Sequence, residues 1–152
     1  MKILIAGFGS IGRRHFHNLL ALGEREIIFY RTRQGALADD ETAGFPVETD
    51  LQAALSHRPE AVIISNPTAL HLDVAIPAAR AGCHLLVEKP VSHTLQGLDE
   101  LETALEASGA RLLVGYHFRF HPGLQRLRQI LAESGRPTPP SARIWRKRCN
   151  PG

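Results

Sequence analysis

The chain has 152 residues, of which 43% are hydrophobic and 22% charged, as in an ordinary globular domain. Its formal net charge of +3 is compatible with an anionic ligand but is too small to indicate nucleic acid as a partner. The only two cysteines, Cys83 and Cys149, lack the spacing of metal ligands. We therefore expect no metal site and a reducing, cytoplasmic location. No apolar stretch is long enough for a signal peptide or a membrane span.

Short apolar runs alternate with segments of helical periodicity along most of the chain. This alternation predicts an α/β fold: a doubly wound parallel sheet of the Rossmann type, in three αβα layers. In chain order, the predicted elements are a strand at 3–6, a helix at 11–22, strands at 27–30 and near 46–47, a helix at 50–55, a strand at 61–65, a helix at 69–81, a strand at 85–88, a helix ending at 109, a strand at 111–115 and a helix from 122.

Some residues carry more specific expectations. Pro77 interrupts the helix at 69–81, so that helix should be kinked or divided in two. Leu95 falls on the apolar face of the next predicted helix. Tyr116, Phe118 and Phe120 alternate as strand residues would, which predicts core or interface positions for most of them.

The character of the chain changes after residue 134. Pro137, Pro139 and Pro140 exclude a regular helix, and residues 143–148 form a basic run. We therefore predict a Rossmann domain over 1–134 and an irregular basic tail over 135–152. A basic arm that contacts nucleic acid or acidic lipid is an alternative for this tail, although such runs commonly arise by chance.

The segment from Gly7 to Gly12 joins the first strand to the first helix and reads Gly-Phe-Gly-Ser-Ile-Gly. In such a loop the first glycine makes the tight turn, the second lets the backbone approach a pyrophosphate, and the third lets the helix pack against the strand. The helix N-terminus adds N–H groups for the phosphates. The sequence therefore predicts a dinucleotide site lined by Gly7, Phe8, Gly9, Ser10, Ile11 and Gly12. A glycine-rich turn that holds no cofactor is the alternative.

The end of the second strand selects between the two nicotinamide dinucleotides. An acidic residue there would bind the ribose 2′-hydroxyl, but this chain has Arg31, Thr32 and Arg33. Guanidinium groups bind phosphate in bidentate fashion, so the segment favours NADP over NAD. The alternative is that these arginines are solvated loop charges.

Three further motifs stand at predicted strand ends: Asn66-Pro67-Thr68, Glu88-Lys89-Pro90 and the segment 116–122. Together with the glycine loop and His71, they resemble the N-terminal half of the Gfo/Idh/MocA oxidoreductases over about residues 1–134. The resemblance implies that Lys89 is catalytic and contacts a substrate hydroxyl near the nicotinamide. It implies cofactor contacts on the ribose and nicotinamide side for Asn66, Pro67, Thr68, His71, Glu88 and Arg119, and it implies a cis bond before Pro90.

The same resemblance implies hydride transfer between a nicotinamide and a carbinol carbon of a sugar, cyclitol or related polyol. Members of the family continue into a second domain that binds substrate and often mediates oligomerisation, and we expect this chain to lack that domain. We therefore expect a truncated or frameshifted product or a fragment, which binds cofactor with little or no turnover. A non-catalytic NAD(P)-binding or sensing module and an interaction domain are the alternatives.

Overall fold

The computed structural model describes residues 1–32 and 40–134, which fall into two units, Met1–Gly115 and Tyr116–Gly152. Each unit is described by itself. The predicted boundary at residue 134 stays a prediction.

The first unit contains a sheet of six parallel strands in the order β3-β2-β1-β4-β5-β6. The strands are β1 (Ile3–Ala6), β2 (Ile27–Tyr30), β3 (Val47–Glu48), β4 (Ala61–Ile64), β5 (His84–Val87) and β6 (Leu112–Val114). The order reverses direction beside β1, which is where ligands bind in open α/β sheets. The predicted doubly wound Rossmann fold is confirmed.

Four helices connect these strands: α1 (Ser10–Ala21), α2 (Leu51–Ser56), α3 (His71–Arg80) and α4 (Leu98–Ser108). Short 3₁₀ turns occupy Asp40–Thr42 and Thr68–Leu70. Helix α2 begins where predicted because the Asp50 carboxylate accepts a hydrogen bond of 2.8 Å from the Ala53 N–H. Helix α4 ends at Gly109, which has a left-handed φ of 70°.

Alternate residues of the central strands face two separate apolar clusters. Leu4, Ala6 and Val62 pack with residues of α2, α3 and α4. On the other side, Ile3 and Ile5 pack with α1 and with four phenylalanines whose ring centroids lie 4.8–6.0 Å apart in edge-to-face pairs: Phe8, Phe16, Phe29 and Phe45. Helices therefore cover both faces of the sheet. Cys83 lies in the first cluster, and burial raises the pKa of its thiol.

Two details of the predicted helices are wrong. Helix α3 is not divided at Pro77, because buried residues on both sides of the proline hold it against the sheet. The alternative of a kink at Pro77 stays a prediction. The change from 3₁₀ to α geometry occurs earlier, at His71. Leu95 precedes α4 instead of lining it, and 86% of its surface is exposed. The helix begins only after Gly97, whose φ of 84° is outside the helical region.

The described part of the second unit consists of a 3₁₀ turn at His117–Phe120 and helix α5 (Pro122–Glu133). Pro122 stands at the start of α5, as predicted, and the His121 ring nitrogen accepts a hydrogen bond from the Gly123 N–H. Tyr116, Phe118 and Phe120 are exposed in a turn, so the expectation of core strand residues is wrong for them. Their predicted alternative, an interface, stays a prediction.

Candidate functional site

All six strands of the sheet end at one level on its carboxyl edge, and the site involves the segments that follow five of them. The strand register places Ala6, Tyr30, Ile64, Val87 and Val114 side by side across the sheet. The residues that follow them therefore form a row, which consists of Gly7, Arg31, Ser65, Glu88 and Gly115. Hydrogen bonds from the N–H groups of Gly7, Ser65, Glu88 and Gly115 to the neighbouring strands hold this row. The glycine loop, Arg31 and the motifs that begin at Asn66 and Glu88 thus start at one edge.

The glycine loop has the close approaches that its sequence predicts. Gly7 has a φ of 91°, and a Cβ there would lie 2.5 Å from the Asn66 backbone nitrogen. A Cβ at Gly12 would lie 2.2 Å from the Gly7 carbonyl oxygen. Gly9 has open space where its Cβ would stand. Gly7 and Gly12 therefore allow the close contacts within the loop, and Gly9 leaves its backbone accessible to a ligand.

The other residues of the loop divide between core and surface. Phe8 is buried in the phenylalanine cluster, and Ile11 is half-buried. Ser10 is exposed at the first turn of α1, and no side chain caps this helix in the described structure. The first N–H groups of α1 therefore remain available to an anion, whose charge the positive end of the helix dipole would stabilise.

Ser65 contacts the start of the glycine loop through its hydroxyl group, a role that was not predicted from the sequence. Its hydroxyl oxygen lies 2.9 Å from the Gly7 carbonyl oxygen and 3.2 Å from that of Ala6. It also lies 2.9 Å from the place of a Cβ on Gly12. Since a hydroxyl donates a single proton, Ser65 shares it between the two carbonyls. The end of β4 thereby fixes the loop that follows β1.

Asn66 offers an acceptor to a ligand. Its side-chain nitrogen donates to the Leu70 carbonyl oxygen at 3.2 Å, while its Oδ1 is buried and has no hydrogen-bond partner among the described residues. A buried acceptor without a partner costs about 1–3 kcal/mol, so a donor on a bound molecule would be favoured here. Pro67 is exposed, and Thr68 is half-buried at the start of a 3₁₀ turn.

His71 lies beneath the site. Only 1% of its surface is exposed, and both ring nitrogens lie 2.9 Å from backbone carbonyl oxygens, Nε2 from Asn66 and Nδ1 from Pro90. The bond between Lys89 and Pro90 is cis, as expected. The imidazole thus joins the loop after β4 to the loop after β5. Because its nitrogens are occupied by protein, His71 is placed to support these loops.

Glu88 and Lys89 follow β5 and differ in exposure and in contacts. The Glu88 carboxylate is partly buried, and its Oε1 lies 2.8 Å from Nε2 of His15 on α1. Lys89 is exposed, and its ammonium makes no hydrogen bond or ion pair within residues 1–32 and 40–134. An accessible amine therefore follows, in the chain, a carboxylate that the protein already holds. No role for His15 was predicted from the sequence.

Arg31 follows β2 in the row, and its backbone N–H donates to the Glu48 carbonyl oxygen at 2.9 Å. Its guanidinium lies 5.6 Å from the centre of the Phe8 ring, and that of Arg13 lies 5.2 Å from the same centre. Arg13 also pairs with Glu41 at 3.3 Å. Thr32 is exposed. The guanidinium groups of Arg31 and Arg13 thus both lie near the Phe8 ring. Only Arg31 was predicted from the sequence.

Some predicted positions lie beyond what the structure describes. Arg33 is outside the described residues, and so is the side chain of Arg119. Among the residues that are described, no group of three or more histidine, cysteine, aspartate or glutamate side chains could hold a metal ion. None of the described helices combines the length and the apolar character needed to cross a membrane.

The described residues fit a dinucleotide. The uncapped N-terminus of α1 and the open backbone at Gly9 suit a pyrophosphate, and the unpaired Oδ1 of Asn66 suits a donor further along the row. Such a molecule would extend across the carboxyl ends of β1, β4 and β5, with Arg31 on the opposite side of the loop.

Known proteins are similar to this chain in both sequence and fold. Residues 1–116 match the sequence model of the oxidoreductase family with an NAD-binding Rossmann fold, GFO_IDH_MocA. The 4-carboxy-2-hydroxymuconate-6-semialdehyde dehydrogenase of Sphingobium is 30% identical over 82% of this chain, and the UDP-N-acetylglucosamine 3-dehydrogenase of Acidithiobacillus ferrooxidans is 31% identical over 85%. The chain spans 41% of the length of each of these relatives.

One of the similar solved structures was determined with a bound cofactor. The WlbA dehydrogenase of Bordetella pertussis, determined with NADH and UDP-GlcNAcA, has a TM-score of 0.77 and 27% identity. The match covers 88% of this chain and 42% of that one. The chain belongs to the Gfo/Idh/MocA family of oxidoreductases, and it contains the family's NAD-binding Rossmann domain.

Proposed function

We propose that this chain is the NADP-binding part of an oxidoreductase that acts on a sugar, cyclitol or related polyol. The observation that carries the proposal is the single row of Gly7, Arg31, Glu88 and their neighbours at the carboxyl edge of the sheet. The sugar-nucleotide dehydrogenase among the relatives supports this substrate class. A cytoplasmic location, and a homo-oligomer of a longer chain, remain predictions.

Each part of the row would have a distinct task. The N–H groups at the start of α1 would hold the pyrophosphate, and Arg31 with Thr32 would hold the adenosine ribose and its phosphate. Asn66 and Glu88 would accept hydrogen bonds on the nicotinamide side. When bound, the nicotinamide supplies the hydride chemistry. The Lys89 amine would take the proton from a substrate hydroxyl during oxidation and return it during reduction.

Fluorescence titration of the 152-residue chain with NADPH and with NADH tests cofactor binding directly. We expect both to bind, with NADPH bound more tightly. Oxidation assays over a panel of sugars and polyols then separate the two functional alternatives. We expect binding with little or no turnover. Binding with no turnover over a broad panel would favour the non-catalytic module, and ready turnover by this chain alone would contradict the expected truncation. Absence of binding to either cofactor would contradict the proposal.

Replacing Arg31 with alanine should weaken NADPH binding about 10- to 100-fold, because a hydrogen bond to a charged group contributes roughly 1.5–3 kcal/mol. NADH lacks the 2′-phosphate, so its dissociation constant should change less than threefold by the same reasoning. Calorimetric titration of both cofactors measures the two effects.

Arg25→Ala is the matched control, because Arg25 precedes β2 at the opposite edge of the sheet and donates to the carbonyl oxygens of Leu20 and Glu24. It should leave both affinities unchanged. Equal losses of NADPH and NADH in Arg31→Ala would count against a role in choosing between the cofactors.

A further inference from the structure

A hydrogen-bonded pair joins α1 to the end of β5. Nε2 of His15 lies 2.8 Å from Oε1 of Glu88, across 73 residues of sequence. The two side chains are 18% and 15% exposed, so water competes weakly for this contact. His15 has no part in the hydride and proton transfer described above. Its contact with Glu88 therefore points to a different function.

Glu88 is confined on a second side by Gly115. A Cβ at Gly115 would lie only 3.1 Å from both carboxylate oxygens, so a side chain there would crowd the carboxylate. Oε2 makes no hydrogen bond within the described residues, while Oε1 is occupied by His15. The pair thus leaves one carboxylate oxygen able to accept a bond from a ligand. A free glutamate side chain would lose rotamer entropy when it bound a ligand, and a side chain already held loses less.

His15 also shares its helix with the phosphate-binding loop. It follows Gly12 by three residues, so both lie on the same side of α1. One rigid helix therefore presents N–H groups at its start and, one turn later, a ring that holds Glu88. We propose that His15 is a positioning residue that fixes the Glu88 carboxylate for the ribose on the nicotinamide side of the cofactor. This inference rests on the proposed function.

Two amide substitutions at position 15 test the inference. The side-chain nitrogen of glutamine takes the place of Nε2, whereas that of asparagine reaches only to the place of Nδ1. His15→Gln can therefore keep the bond to Glu88, and His15→Asn cannot. Both variants are polar and suit a mostly buried helix position at the edge of the site, and circular dichroism melting checks that they fold. His17→Asn is the matched control, because His17 lies on the same helix and is mostly exposed.

Calorimetric titration of each full chain uses two probes, NADPH and adenosine 2′,5′-bisphosphate, which lacks the nicotinamide side. We expect His15→Asn to weaken NADPH about tenfold, equivalent to about 1.4 kcal/mol. Binding of the bisphosphate should stay within about twofold, because the positioned carboxylate is on the other side of the pyrophosphate. His15→Gln and His17→Asn should bind both probes like the wild type.

The outcomes are distinguishable from those of the proposed function. If the wild type binds NADPH and His15→Asn binds it equally well, the positioning role is wrong while the proposed function stands. Equal weakening of both probes, or failure of glutamine to restore binding in a folded variant, would also overturn the positioning role. If the wild type binds neither probe, both proposals fail.

Discussion

Replacing Gly12 with alanine should both destabilise the protein and weaken cofactor binding. The new Cβ would lie 2.2 Å from the Gly7 carbonyl oxygen and 2.9 Å from the Ser65 hydroxyl oxygen. The backbone carbonyl of Gly7 and the Ser65 hydroxyl, which is hydrogen-bonded to two carbonyl oxygens, could move away only at a cost in free energy. We expect the free energy of unfolding to fall by about 1–3 kcal/mol, the usual range for overpacking. NADPH affinity should fall at least about 100-fold, because the loop must shift to admit the methyl group.

Gly9→Ala is the comparison that separates stability from binding. Nothing lies within 4 Å of a Cβ at Gly9, and its φ of −77° suits alanine. Its free energy of unfolding in urea should fall by at most about 1 kcal/mol, while NADPH affinity should still drop because the methyl group occupies the approach to the backbone. A Gly12→Ala protein that unfolds at the wild-type urea concentration would contradict the close packing of the loop.

Replacing His71 with leucine should lower the free energy of unfolding by about 1–3 kcal/mol. The leucine fills a similar space, but the carbonyl oxygen of Asn66 or of Pro90 loses its donor in a buried place, since an uncharged imidazole carries one N–H. An unpaired buried acceptor costs about 1–3 kcal/mol. Since those carbonyls belong to the loops after β4 and β5, NADPH binding should weaken as well.

His93→Leu provides the control for a histidine on the surface. His93 is exposed, and the change should alter the free energy of unfolding by less than about 0.5 kcal/mol. Urea denaturation followed by circular dichroism measures both variants. A loss below about 1 kcal/mol in His71→Leu would mean that other donors replace the imidazole.

The strands and most helices of the first unit were predictable because their signals are local. Strands that are buried on both faces appear as continuous apolar runs, as in Ile3–Ala6 and Ala61–Ile64. The glycine loop was predictable for the same reason, since a turn, a close approach and a helix start are all coded within six residues. Helix periodicity, in contrast, did not show where α4 begins, because Leu95 has the correct spacing but precedes the glycine that sets the start.

The contacts beneath the row were not predictable from local patterns. His15 meets Glu88 across 73 residues, and Ser65 supports a loop almost 60 residues away in the chain. Such pairings depend on strand order, which places β1 between β2 and β4. His71 was predicted beside the cofactor, and spacing alone could not show that two loops close over its ring. The aromatic residues from Tyr116 to Phe120 alternate like a strand, yet they form a turn that leaves them exposed.

Because the strands end in register, insertions, deletions and register shifts should have different effects on the site during evolution. Gly7, Asn66 and Glu88 take their positions from strand pairing, so a connecting helix can gain or lose a turn without displacing them. A slip of β5 by a single residue has the opposite effect, because it exchanges the two faces of the strand and puts Lys89 where Glu88 stood. Length variation should therefore accumulate between the strands, while the pairing register is inherited unchanged.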